Sequence, residues 1–182
     1  MFELADQLPW LIPVSVLSLA LSVVASGAVG RRLRVHPALA ALLVLSAGVI
    51  LAGTLSPLAV PDVVPPGTPR TCDMSRTWLA TPADLAAGND VVINILMLIP
   101  LGFAIGAMPF SARKVALVLA GIALPFAVEG TQLVVVALGR GCQAADVVDN
   151  LTGLFIGLVA GLPLSFLAAP AGWAQDLRPA DR

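Results

Sequence analysis

Apolar residues run through this chain in blocks too long for the core of a water-soluble domain. A helix needs about 20 mostly apolar residues to cross roughly 30 Å of hydrocarbon. Five stretches reach or approach that length: 9–30, 37–58, 91–108, 115–138 and 147–169. The third is the shortest and carries Pro100. The pattern predicts an all-α membrane protein, a bundle of about five transmembrane helices forming a single domain over 1–182. Glu3 and Asp6 precede the first run where a cleaved signal would be basic, and the run exceeds a signal's apolar core, so it is read as a span.

Between the second and third runs lies the one sizeable polar segment, 59–90. Pro61, Pro65, Pro66 and Pro69 make its first half irregular. In its second half Thr81 is a helix cap, Pro82 suits the first helical position and Asp84 adds an acid to the first turn. A short helix over 82–87, ended by Gly88, is expected there, with Trp78 at the lipid–water boundary. The chain carries no internal repeat.

Charge then orients the bundle. Of the ten Lys and Arg residues, Arg31, Arg32, Arg34, Arg113, Lys114, Arg178 and Arg182 fall on one side of the predicted spans, and Arg70, Arg76 and Arg140 on the other. Short loops rich in cations stay cytoplasmic. The N-terminus and the 59–90 segment are therefore expected outside the cell and the C-terminus inside, as an odd number of spans requires. Composition agrees with the class: apolar residues make up 58% of the chain and charged residues 12%, and the mean hydropathy is +0.95. A net charge of −1 gives no footing for a nucleic-acid partner. One His and no Tyr leave little material for a metal site or histidine acid–base chemistry, and no metal or cofactor is expected.

Against this apolar background the polar residues inside the spans stand out. Glu129 is placed about nine residues below the outer end of the fourth helix, roughly 13 Å deep. A charge near the bilayer centre costs on the order of 3 kcal/mol, so such groups face the bundle interior and commonly serve function. Gln132 shares its helix face. Asn94 in the third helix, with Asp146 and Asn150 in the fifth, falls in the same outer half. Asp149 is directed elsewhere or to the rim. Arg140, in the last outer loop, is expected to pair with Asp146 or Asp149 and to shape the pocket mouth or hold an anionic group. Gly102 and Gly106, and Gly153, Gly157 and Gly161, recur every four residues, a spacing that lets helix backbones approach closely.

Residues 90–161 resemble the VanZ-like family. The resemblance rests on Asn94-Ile95-Leu96-Met97-Leu98-Ile99-Pro100-Leu101-Gly102, then Glu129 with Gln132, then Arg140, Asp146, Asn150, Gly153 and Gly157. The chain departs from the family pattern at Gln143, where an Asp is frequent, and at Ala145, where the usual Asp pair begins. The resemblance implies a multi-pass protein of the bacterial cytoplasmic membrane, in a family whose founding member is associated with resistance to a lipid-bearing glycopeptide antibiotic.

Three functions fit these residues. One is a protein whose outward-facing polar pocket, built from Asn94, Glu129, Gln132, Arg140, Asp146 and Asn150, binds or modulates a lipid-linked cell-envelope precursor or an amphiphilic lipoglycopeptide. Another is an intramembrane enzyme acting on such a lipid, with Glu129 as acid–base. The last is a structural subunit of a membrane complex. Cys72 and Cys142 both fall on the side assigned as outer, where disulfides persist, and a bond between them would hold the long segment over the pocket.

Overall fold

A computed structural model describes residues 8–59, 71–87 and 89–167. Glu3, Asp6, Pro61, Pro65, Pro66, Pro69, Arg70, Gly88, Arg178 and Arg182 lie outside the described residues. Helices occupy Leu11–Leu33 (α1), Pro37–Leu55 (α2), Pro82–Ala87 (α3), Asn89–Gly106 (α4), Ala112–Val134 (α5) and Ala144–Leu167 (α6), with a 3-10 turn at Val136–Leu138. Among the described residues α1, α2, α5 and α6 are long and apolar enough to cross a membrane, and α4 is a shorter apolar helix. The architecture is that of an all-α membrane bundle.

Local chemistry explains where the helices depart from the lengths of their apolar runs. α1 continues past residue 30 to Leu33 and closes at Arg34, which adopts left-handed backbone angles while the Val35 N–H donates to the Gly30 carbonyl at 3.0 Å. His36 caps α2, its Nδ1 accepting from the Ala38 N–H. α2 stops at Leu55 because Ser56 precedes Pro57, and the residue before a proline is driven to extended angles. Ser111 caps α5 by accepting from the Lys114 N–H, so this helix starts at Ala112. It ends at Val134 inside a run of β-branched valines, a poor helix sequence. The turn that follows closes on Gly139 at φ 64°. Thr81 and Asp84 cap α3 reciprocally, the Asp84 carboxylate accepting from both the main chain and the hydroxyl of Thr81 at 2.8 Å.

The centre of the bundle is the α4–α6 pair. A Cβ added at Gly153 would lie 2.0 Å from the Ile95 carbonyl oxygen, one at Gly157 2.2 Å from that of Ile99, and one at Gly102 2.2 Å from that of Leu154. No other residue lets the backbones come so close. Leu43 and Ile50 of α2, Leu98, Leu101 and Ile105 of α4 and Leu154 of α6 form the core beside this contact, with Met108 just beyond α4. α1 packs on α2, where Gly48 makes room for Ser18. Lys114 is buried rather than solvated in a loop: its ammonium donates to the carbonyls of Gly106 (2.7 Å) and Met108 (3.0 Å), satisfying the C-terminal end of α4.

At the opposite end, residues 71–78 dock on the start of α6. Cys72 and Cys142 are disulfide-bonded. The Asp73 N–H donates to the Cys142 carbonyl and the Ala144 N–H to that of Asp73. Arg76 reaches down to Asp149, which is fully buried. Asp149 is thus directed elsewhere than Asp146 and Asn150, towards Arg76, and is buried rather than at a solvated rim; its partner comes from a segment whose irregular backbone gave no periodicity to read.

Candidate functional site

The start of α1, α4 and α6 and the end of α2 and α5 all lie at the disulfide end of the bundle. Polar residues within one to three turns of those termini converge there on a cavity of about 780 Å3. Asn94, Glu129, Gln132, Arg140, Asp146 and Asn150 all line it. Much of the remaining lining is apolar, with Leu8 just before α1, Leu11 at its start, Leu42, Leu45 and Val49 from α2, and Leu96 and Met97 from α4.

Glu129 and Gln132 are buried, one turn apart on α5. The Gln143 main-chain N–H donates to Oε2 of Glu129 at 2.7 Å, fastening the last loop to the middle of the cavity wall. Gln132 donates through Nε2 to the Thr54 carbonyl at 2.9 Å, near the end of α2. Arg140 takes up two further carbonyls near that end. Its Nε donates to the Ser56 carbonyl at 3.0 Å and an Nη to that of Gly53 at 2.8 Å. A guanidinium is well suited to the carbonyls and negative dipole of a helix C-terminus. Arg140 therefore does not form its expected hydrogen-bonded pair with Asp146 or Asp149. The loop folds inward and gives it a nearer set of acceptors. Burial lowers the Arg140 pKa, while the charges of Asp146, Glu129 and Asp90 act to raise it.

Asn150 is 3% exposed, and its Oδ1 has no hydrogen-bond partner among the described residues. Buried polar atoms are rarely left so. Asp149, the residue before it, makes two hydrogen bonds with Arg76, one of them 3.0 Å long, and that bond raises the Arg76 pKa. Arg76 also donates to the Trp78 carbonyl at 3.1 Å. It acts as a tether outside the cavity.

Asp90 and Gln143 also line the cavity and were not among the residues expected there, Gln143 having stood out only as a departure from the family pattern. Asp90 carried a readable signal, since it stands four residues before Asn94 on the same helix face. Gln143 contributes through its main chain, which side-chain identity does not reveal. Among the described residues no three His, Cys, Asp or Glu side chains gather as a metal-ligand set.

An all-α membrane bundle with a partly polar cavity defines the class of protein. The VanZ/LLP1 family model matches residues 37–165, which include every polar residue discussed on α4 to α6, and the chain belongs to that family. Neither a curated protein nor a solved structure matches the chain.

Proposed function

We propose that the chain is a multi-pass protein of the bacterial cytoplasmic membrane that binds a membrane amphiphile, such as a lipid-linked envelope precursor or a lipoglycopeptide, in the cavity between α2, α4, α5 and α6. The observation that carries this reading is the mixed lining of the cavity. The lining combines Asn94, Glu129, Asp146 and Asn150 with Leu8, Leu11, Leu42 and Leu45. A ligand with a polar head and an apolar tail satisfies both. Leu96 and Ile93 line the cavity and are also exposed, which suits a tail passing from the site into the bilayer.

The cavity is assigned to the outer side of the membrane. The cation-rich turn at Arg31, Arg32 and Arg34 is at the other end of the bundle, as is Arg113, and cations mark cytoplasmic loops. The Cys72–Cys142 bond sits beside the cavity, where an oxidising compartment would maintain it.

Lipid extracts of the purified protein, analysed by mass spectrometry, test the reading. A near-stoichiometric envelope amphiphile in the wild type, reduced in the Glu129→Gln variant, is the expected result. An extract containing only bulk phospholipid in the proportions of the host membrane would refute it. The same sample incubated with that amphiphile separates binding from catalysis: the binding reading expects the ligand back unchanged, whereas a product would assign Glu129 the acid–base role.

A further inference from the structure

Charge on the cavity wall is lopsided. The carboxyls of Asp90, Glu129 and Asp146 line it, and Arg140 is the one cation that does so among the described residues. Two of the five N–H donors of that guanidinium are already directed at the Ser56 and Gly53 carbonyls, away from any ligand. The helix ends at this cavity do not reverse the balance. The N-termini of α4 and α6 present their positive ends, yet each already has an acid in its first turn, Asp90 and Asp146 respectively. The C-terminal end of α2 adds no positive charge there: its Gly53 and Thr54 carbonyls already accept from Arg140 and Gln132.

A second observation is independent of this count. Asn150, 3% exposed and among the residues lining the cavity, carries a buried Oδ1 that finds no donor among the described residues. No donor of the described residues reaches Asn150 Oδ1, and carboxyls outnumber cations on the same lining. A ligand that completes it brings hydrogen-bond donors and positive charge together. An ammonium does both, with three donors and no acceptor.

We infer that the head group held in this cavity is a protonated amine, so that the ligand class is a cationic or amine-bearing amphiphile rather than one recognised through a phosphate. The inference rests on the amphiphile-binding reading above and narrows it. The ammonium hydrogen-bonds Asn150 Oδ1 and lies between Asp146 and Glu129, while the tail follows Leu42, Leu45 and Leu96.

Native mass spectrometry of the whole purified chain, with dodecylammonium, dodecyl phosphate and dodecanol offered separately, tests it. One dodecylammonium is expected to bind about tenfold or more tightly than either of the others, the magnitude of a charge-assisted hydrogen bond. Asp146→Asn and Asn150→Leu, each checked for a monodisperse elution profile, are expected to weaken that adduct by a similar factor. These two variants act independently, so a folding failure in one leaves the other as the test. Preference for dodecyl phosphate, lost in Arg140→Gln, would overturn the amine assignment and leave amphiphile binding standing. A dodecylammonium adduct unchanged in both variants would place it outside the cavity and also overturn the assignment. Absence of adducts with all three probes would overturn both readings.

Discussion

Arg76 and Asp149, 73 positions apart, are joined by hydrogen bonds from both terminal nitrogens of the guanidinium to both oxygens of the carboxylate. The pair fixes the 71–78 segment to the first turns of α6, one residue before Asn150. Asp149 is completely buried, so removing Arg76 leaves an uncompensated charge in the bundle. Breaking a buried pair in this way typically costs about 3–5 kcal/mol. Arg76→Ala is expected to lower the thermal stability of the detergent-solubilised protein by that order, and the double variant Arg76→Leu, Asp149→Leu to recover much of it. A single-variant loss below about 1 kcal/mol, the size of an exposed pair, would show that the bond contributes little.

The glycines of the α4–α6 contact differ sharply from Gly130 of α5. A methyl at Gly157 would lie 2.2 Å from the Ile99 carbonyl oxygen, whereas one at Gly130 meets nothing within 4 Å. Gly157→Ala should therefore destabilise by about 1–3 kcal/mol or more, as overpacking does. Gly130→Ala should stabilise by up to about 1 kcal/mol, from helix propensity alone. Parallel thermal unfolding of the two variants checks the contrast; equal effects would mean that the close helix approach is absent.

The disulfide gives a test of both compactness and orientation. It closes a loop with a sequence separation of 70, and chain-entropy reasoning gives such a link about 4 kcal/mol of stabilisation. Intact cells should show no labelling by a membrane-impermeant maleimide until a reductant is added, and labelling at both cysteines afterwards. Labelling after reduction only when the cytoplasmic face is exposed would invert the proposed topology.

Glu129→Gln should fold and insert normally, because the amide oxygen can still accept the Gln143 N–H that Oε2 receives at 2.7 Å. Ligand retention should fall, since the carboxyl is lost while its shape remains. A variant that fails to insert, as judged by recovery in the membrane fraction, would assign Glu129 to packing instead.

Much of the bundle was legible because its spans obey a single rule, continuous apolar length, and because Gly102, Gly106, Gly153, Gly157 and Gly161 announce their close contact through spacing. The cavity residues could be grouped for a related reason: Glu129, Gln132, Asn94 and Asn150 are polar exceptions within those apolar spans, and all four line the cavity. What remained illegible involves backbone partners and irregular segments. Arg140 satisfies Gly53 and Ser56 carbonyls, and only the early end of α2 before Pro57 makes them available. Arg76 lies in a stretch without periodicity, so nothing local pointed it at Asp149. The shift of α6 to begin at Ala144 follows from pairing of Asp73 with Gln143, a contact between distant loops.

The most direct test of the account fills the cavity without touching its charged groups. Asn94 lines the cavity on α4, and Asn94→Trp would occupy the space of a ligand; Phe166→Trp, at a site 77% exposed near the end of α6, is the control. Native mass spectrometry of the three proteins purified in parallel measures the co-purifying amphiphile. A single adduct is expected on the wild type and on Phe166→Trp, and its loss from Asn94→Trp. An adduct of equal abundance on all three would contradict it, because the amphiphile would then be bound to the outer surface of the helices and not in the cavity.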